Sequence, residues 1–287
     1  SGFAPTAPAM AGTGHEHGDE EGGRLLEEGR CSGPERQHIE DRMGVCDWVY
    51  PLVCMRAPDE LTEEEREVAW HLRRRLVNAP KPDAEALQDA CVEIWNAAFP
   101  EEKRVAFETG EGWKQLGFQG TDPATDVRTG SWPLEQLRSM AKHHSRELCE
   151  MADVARSGRS AYLFAISCFN ISHMLAMFFD LVTAVSVSPV RGAHVAGRRQ
   201  LKFLAGLVLS ECSANGTAQV SDAICRRVMD ELFFEVVCYV HGRWLEMSRS
   251  QEGLTIMDYQ RALEQGFAAH DAFWRAPCLT LSELRLA

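Results

Sequence analysis

Residues 161–187 read AYLFAISCFNISHMLAMFFDLVTAVSV, and the fold turns on what that run is. It is long enough to cross a bilayer, which needs about 20 apolar residues. Asn170, Ser172, His173 and Asp180 interrupt it, and Asp180 alone would cost about 2.5 to 3.5 kcal/mol near the bilayer centre. A helix buried nearly all round within a soluble bundle explains the same pattern without that cost. The run is therefore expected to form the central helix of a bundle and not a transmembrane span.

The flanking sequence has the same helical period. On the N-terminal side, Thr62 is a good N-cap, followed by Glu63, Glu64 and Glu65 where the helix dipole favours negative charge. Val68, Leu72 and Leu76 then repeat at helical spacing until Asn78-Ala79-Pro80. A second helix opens near Asp83, carries Leu87, Cys91, Ile94 and Trp95, and stops at Phe99-Pro100. Residues 110–132 lack any helical period, and Pro133 then suits the first turn of a helix holding Leu134, Leu137, Met140 and Ala141. On the C-terminal side, Leu201, Leu204, Leu207 and Val208 mark a helix ended by Asn215-Gly216. Ser221-Asp222-Ala223 starts a longer one through Val228, Leu232, Phe233, Val236, Val240 and Trp244, and a last helix runs from about Met257 past Leu263 and Phe267 towards Trp274. No alternating strand pattern or solenoid period competes. The expected fold is all-α, a single multi-helix domain of about six to eight helices.

Residues 1–35 are rich in Gly, Ala, Pro and Glu with few large apolar side chains, too few to offset the entropy of ordering. They are expected to form a disordered segment, with the helical domain over 36–287. His15 and His17 in that segment either hold a metal weakly or belong to a solvated tail. The first residues lack a basic region and an apolar region, so no signal peptide is expected.

The 287-residue chain is 45% hydrophobic and 25% charged, an ordinary soluble composition. Lys and Arg total 30 against 42 Asp and Glu, a net charge of -12, which disfavours nucleic acid and polybasic membrane binding. The ten cysteines include no CxxC pair; Cys91, Cys149, Cys168, Cys225 and Cys238 sit inside apolar helical runs and read as small hydrophobes in a reduced, cytosolic protein. The P-loop, GxGxxG after a strand, GxSxG and HExxH are all missing, and no metal or cofactor site is expected. His143 and His144, about 100° apart on a helix, read as exposed surface; Glu231 and Glu235 read as a solvated or ion-paired stripe; Asn170 and His173 read as satisfied core polar groups.

The segment 113–130, WKQLGFQGTDPATDVRTG, is the informative one. Trp113, Leu116 and Phe118 are anchors, while Gly117, Gly120, Pro123 and Gly130 shape the turns. Asp122 and Asp126 can cap those turns or hold a neighbouring guanidinium. A stiff loop carrying Arg128 suits bidentate contact with a phosphate; the other reading is a structural Arg128 clamped by Asp122 or Asp126.

This segment resembles the signature of the ELMO domain, Trp-x-x-x-Gly-Phe-Gln-Gly-x-Asp-Pro-x-Thr-Asp-Phe-Arg-Gly-x-Gly, with Val127 where the pattern has Phe and Thr129 where it has Gly. Residues 162–175, 233–239 and 255–259 resemble further stretches of the family, and the likeness spans roughly residues 61–274. In the short ELMO-domain proteins the resemblance implies a GTPase-activating protein for Arf and Arf-like small GTPases, partner in the GTP-bound form, with Arg128 as the arginine finger. Gln119, Asp122 and Asp126 then fall at the partner-binding positions, although Gln119 equally suits a hydrogen bond within the loop. It also implies a cytoplasmic protein, peripheral on endomembranes through its partner. The other reading is a non-catalytic GTPase-binding or scaffold module built on the same domain.

Overall fold

A computed structural model describes residues 60–77, 79–127, 130–182, 198–217, 219–273 and 280–281, which lie within one compact unit, Pro58–Ala287. The expected 1–35 segment, with His15 and His17, lies outside the described residues. Every regular element among the described residues is helical. In chain order the α-helices are α1 (Glu63–His71), α2 (Ala84–Ala98), the single turn α3 (Gly112–Gln115), α4 (Trp132–His143), α5 (Ser145–Ala155), α6 (Phe164–Phe178), α7 (Arg198–Ala214), α8 (Asp222–Ser250) and α9 (Tyr259–Phe273).

Local chemistry sets most of these boundaries. The Thr62 side chain accepts from the Glu65 N–H while Glu65 reaches back to the Thr62 N–H, closing a capping box. Asp83 caps α2 through the Ala86 N–H, and Ser221 caps α8 through the Ile224 N–H. Pro133 sits in the first turn of α4 as the sequence suggests. Differences from the sequence reading are equally local. α1 continues as a π-helical turn, Leu72–Val77, which simple periodicity cannot signal. Residues 110–132 hold two short helical pieces, α3 and the 3-10 turn Pro123–Thr125.

The apolar run becomes α6 but ends at Phe178, so the expectation that it continues to residue 187 is corrected. At 15 residues and 1.5 Å each it spans about 22 Å, short of the roughly 30 Å hydrocarbon layer; among the described residues no helix is long and apolar enough to cross a membrane. The stop is a Schellman motif: the Leu181 N–H reaches the Ala176 carbonyl at 2.7 Å and the Asp180 N–H reaches Met177 at 3.0 Å. Asp180 takes the left-handed position usually given to glycine, with φ of 53°. Arg73 holds it there, donating to the Asp180 carbonyl at 3.0 and 2.7 Å and to its carboxylate at 2.8 Å. Twelve of the fifteen residues of α6 are buried, leaving Ile166, Asn170 and His173 as one half-buried stripe.

α8 is the axis of the bundle, packing against α9, α7, α6, α4 and α1. α4 joins α6 to α2, α5 lies on α2, and α1 lies on α7. The sequence-predicted core residues Leu134, Leu137, Leu204, Val228, Leu232, Phe233 and Leu263 are all buried. His143 is exposed as expected, but His144 is not: it ends α4, stacks on Phe234 with ring centres 3.6 Å apart and lies 3.7 Å from the Glu231 carboxylate. Cys91, Cys168 and Cys225 are buried free thiols.

Candidate functional site

The 113–130 loop is built from its first aromatic residue. Trp113 is fully buried and its indole N–H donates to the Glu108 carbonyl at 2.8 Å. Phe107 stacks on it at 5.3 Å, Trp95 meets it edge-on at 5.3 Å and Phe118 at 6.0 Å; Phe118 in turn meets Phe169 of α6. Together with buried Leu116, these anchors tie the start of the loop to both α2 and α6, as aromatic edge contacts do in cores.

Gly117 then brings the backbone directly onto the start of α6. Its φ is +88°, and a Cβ there would lie 2.1 Å from the Phe164 nitrogen, so both conformation and space demand glycine. The approach serves α6, whose own N-cap position, Leu163, offers no side-chain acceptor. The Leu116 carbonyl accepts from the Ala165 N–H at 3.0 Å and the Gly117 carbonyl from the Ile166 N–H at 3.3 Å, which satisfies donors that every helix start leaves open.

The two aspartates fold the rest of the loop onto itself. Asp122 accepts the Ala124 N–H at 3.0 Å and opens the 3-10 turn, with buried Pro123 at its first position. The Thr125 hydroxyl returns to the Asp122 carbonyl at 2.8 Å. Asp126 reaches across seven residues to the Gln119 N–H at 2.9 Å. Both carboxylates thus accept from backbone N–H groups, the Asx-type role of such residues in turns. The Gln119 side chain is exposed, and Gly120 has ordinary space for a Cβ, 3.5 Å from the Thr125 hydroxyl. Asp122 also stands near α2, where its charge adds to burial in pushing the Cys91 thiol up to about 12.

Arg128 and Thr129 lie outside the described residues, as does the alternative in which an aspartate clamps Arg128. Their neighbours are fixed on both sides. Val127 is buried at 5% exposure, its N–H bonded to the Pro123 carbonyl. Gly130 is buried with φ of +113°, and a Cβ there would lie 2.6 Å from the Ala79 carbonyl oxygen. The Ser131 N–H then bonds the Pro80 carbonyl, and buried Trp132 starts α4.

Sequence reasoning missed Arg104 and Asn96, which brace this loop from behind. The Arg104 guanidinium carbon lies 3.9 Å from the Trp95 ring centre and 4.6 Å from that of Trp113, a cation–π contact with two indoles that meet edge-on. The Asn96 amide holds both the N–H and the carbonyl of Arg104. No sequence signal marks the pair, since they belong to a helix and a separate connection. Among the described residues no cluster of His, Cys, Asp or Glu could hold a metal ion.

The sequence model of the ELMO/CED-12 family matches residues 71–263, a span that includes the whole loop. ELMO domain-containing protein B of Dictyostelium discoideum is 36% identical over 88 residues, 30% of this chain and 30% of that protein. ELMO domain-containing protein A of the same organism is 39% identical over 57 residues, 20% of this chain and 6% of that protein. The matched stretch is thus under a third of the length of either relative. No solved structure matches this chain.

Proposed function

This chain belongs to the ELMO/CED-12 family, and on that premise we propose that it is a GTPase-activating protein for Arf-family small GTPases in their GTP-bound form, acting through Arg128. The observation that supports this reading is the brace around Arg128: buried Val127 on one side and buried, left-handed Gly130 on the other. Fixed flanks of this kind suit a loop that must meet a partner's nucleotide without prior searching.

The chemistry asked of Arg128 is electrostatic. Charge builds on the phosphoryl group as GTP is cleaved, and a guanidinium supplied in trans neutralises it, an effect worth about 10³ to 10⁵ in rate. The planar fork can contact two oxygens at once. The partner would bring the nucleotide and its magnesium, consistent with a sequence that carries no P-loop. Since Asp122 and Asp126 accept from backbone N–H groups, their charges shape the loop, while the exposed Gln119 side chain is available to the partner's surface. On this reading the protein works in the cytoplasm and reaches endomembranes through its GTPase.

The test is GTP hydrolysis by a panel of Arf and Arf-like GTPases, alone, with this protein, and with Arg128→Lys. Lys keeps the charge and loses the fork. We expect acceleration of at least about tenfold for one or more GTPases, lost in the variant while binding persists. GTP-dependent binding without acceleration would assign the protein instead to a scaffold or effector role on the same fold.

A further inference from the structure

α4 and α8 pack side by side, and residues of both line a groove of about 620 Å³, within the size range of small-molecule sites. Its walls are crowded with charge, and nearly all of that charge is matched. Arg138 grips Glu93 of α2 with two contacts at 2.7 Å, and Lys142 lies 3.4 Å from the same carboxylate. Arg226 reaches Glu135 at 3.8 Å, and Arg227 reaches Glu211 of α7 at 3.5 Å. Asp222 meets His71 of α1 at 2.7 Å, and Glu231 lies 3.7 Å from His144.

Asp230 is the exception. It lines the same groove, yet among the described residues no basic side chain forms an ion pair with it. The Ser139 hydroxyl hydrogen-bonds its carboxyl, and one carboxyl oxygen is buried with no hydrogen bond at all. Native proteins leave few buried polar atoms in that state, so the oxygen marks a place where a further donor fits. The broad, two-fold carboxyl torsion lets either oxygen turn to the groove. Burial also pushes this carboxyl up to about 7, the behaviour of an acid that lacks a cation.

A group that completes the site has to be compact and positive. Ser139 already takes part of the carboxyl, so a planar guanidinium, which needs both oxygens, is poorly matched, whereas an ammonium needs one. Because the surrounding charges are paired with one another, the attraction left over is for a single positive charge.

We infer that the groove between α4 and α8 is a binding site for a small primary amine, its ammonium seated on the Asp230 carboxylate and its aliphatic stem lying along the groove. Binding exchanges a proton for the ligand: the neutral acid releases H⁺ to solvent as the carboxylate–ammonium pair forms, while the amine keeps its own charge. The site stands independently of the GTPase-activating reading.

The experiment titrates the full chain with n-butylammonium by calorimetry, using tetramethylammonium as a cation that carries no N–H. The first is expected to bind and the second not. Affinity should fall about tenfold per pH unit below pH 7, with about one proton released per amine at pH 6, read by repeating the titration in buffers of different ionisation enthalpy. Glu135, Arg226 and Glu231 act on Asp230, and His143 and His144 line the groove, so the same profile is recorded for Asp230→Asn, which keeps all five. That variant should bind the amine about tenfold or more weakly and release no proton. Glu252→Gln, which removes an exposed carboxylate beyond the far end of α8, should change neither. Equal binding by Asp230→Asn, or by tetramethylammonium, would trace the affinity to the acidic surface at large and overturn the inference. So would a lack of binding at millimolar amine and pH 8, which leaves the buried oxygen to a water molecule.

Discussion

Asp230 on α8 is an acidic residue that burial takes far from its ordinary chemistry. Burial, opposed by a hydrogen bond from Ser139 and the charge of Arg226, raises its carboxyl from 3.8 to about 7. One of its oxygens is buried without a hydrogen-bond partner. Below about pH 7 the fold therefore holds the neutral acid, while the unfolded chain loses the proton near 3.8. Between those values the folded state binds more protons than the unfolded state, so this group's contribution to stability falls as pH rises from about 4 to 7 and is constant above. Asp230→Asn should abolish that slope. The expected result is a variant more stable than the parent at pH 8 in urea titrations, with the gap closing towards pH 4. A gap independent of pH would show that Asp230 is already ionised in the fold.

Residue chemistry of this kind becomes mechanics where two elements meet. The joint that matters most is between the candidate loop and the start of α6, because each completes the other's hydrogen bonding. Gly117→Ala strikes that joint with a Cβ placed 2.1 Å from a backbone nitrogen and an L residue forced to φ +88°. A cost of at least about 3 kcal/mol is expected from strain and forced displacement together, read from the urea midpoint. In native-state hydrogen exchange the Ala165 and Ile166 amides should lose protection with it, since their acceptors are Leu116 and Gly117. The other end of α6 depends on a contact 107 residues away in sequence, Arg73 with Asp180. Helix limits set by such partners are tertiary properties even where the helix itself is locally encoded.

At the scale of the whole molecule the core excludes water from its thiols. Burial first, with nearby acidic groups or thiols second, pushes Cys225 and Cys238 up to about 12, and Cys168 higher still. The thiolate is the reactive form, so these residues together with Cys91 should resist alkylation at pH 8 in the folded protein. They are expected to react as a group as denaturant opens the bundle, followed residue by residue by mass spectrometry. Labelling of any one of them well before the unfolding midpoint would reveal a local opening of its helix.

The sequence by itself determined that this protein is helical, which side chains form the core, and where the candidate loop lies. Apolar spacing, caps such as Thr62, Asp83 and Ser221, and the run of glycines and aspartates from Gly117 to Gly130 are all local signals. The tertiary structure decided that α6 stops at Phe178, that His144 packs on Phe234, and that Asp122 and Asp126 serve the backbone. It also placed Arg104 against Trp95 and Trp113. The physical reason is distance along the chain. A helix is written within a few residues by its period and its ends, whereas an ion pair, a ring stack or a close backbone approach joins residues that only the folded chain brings together.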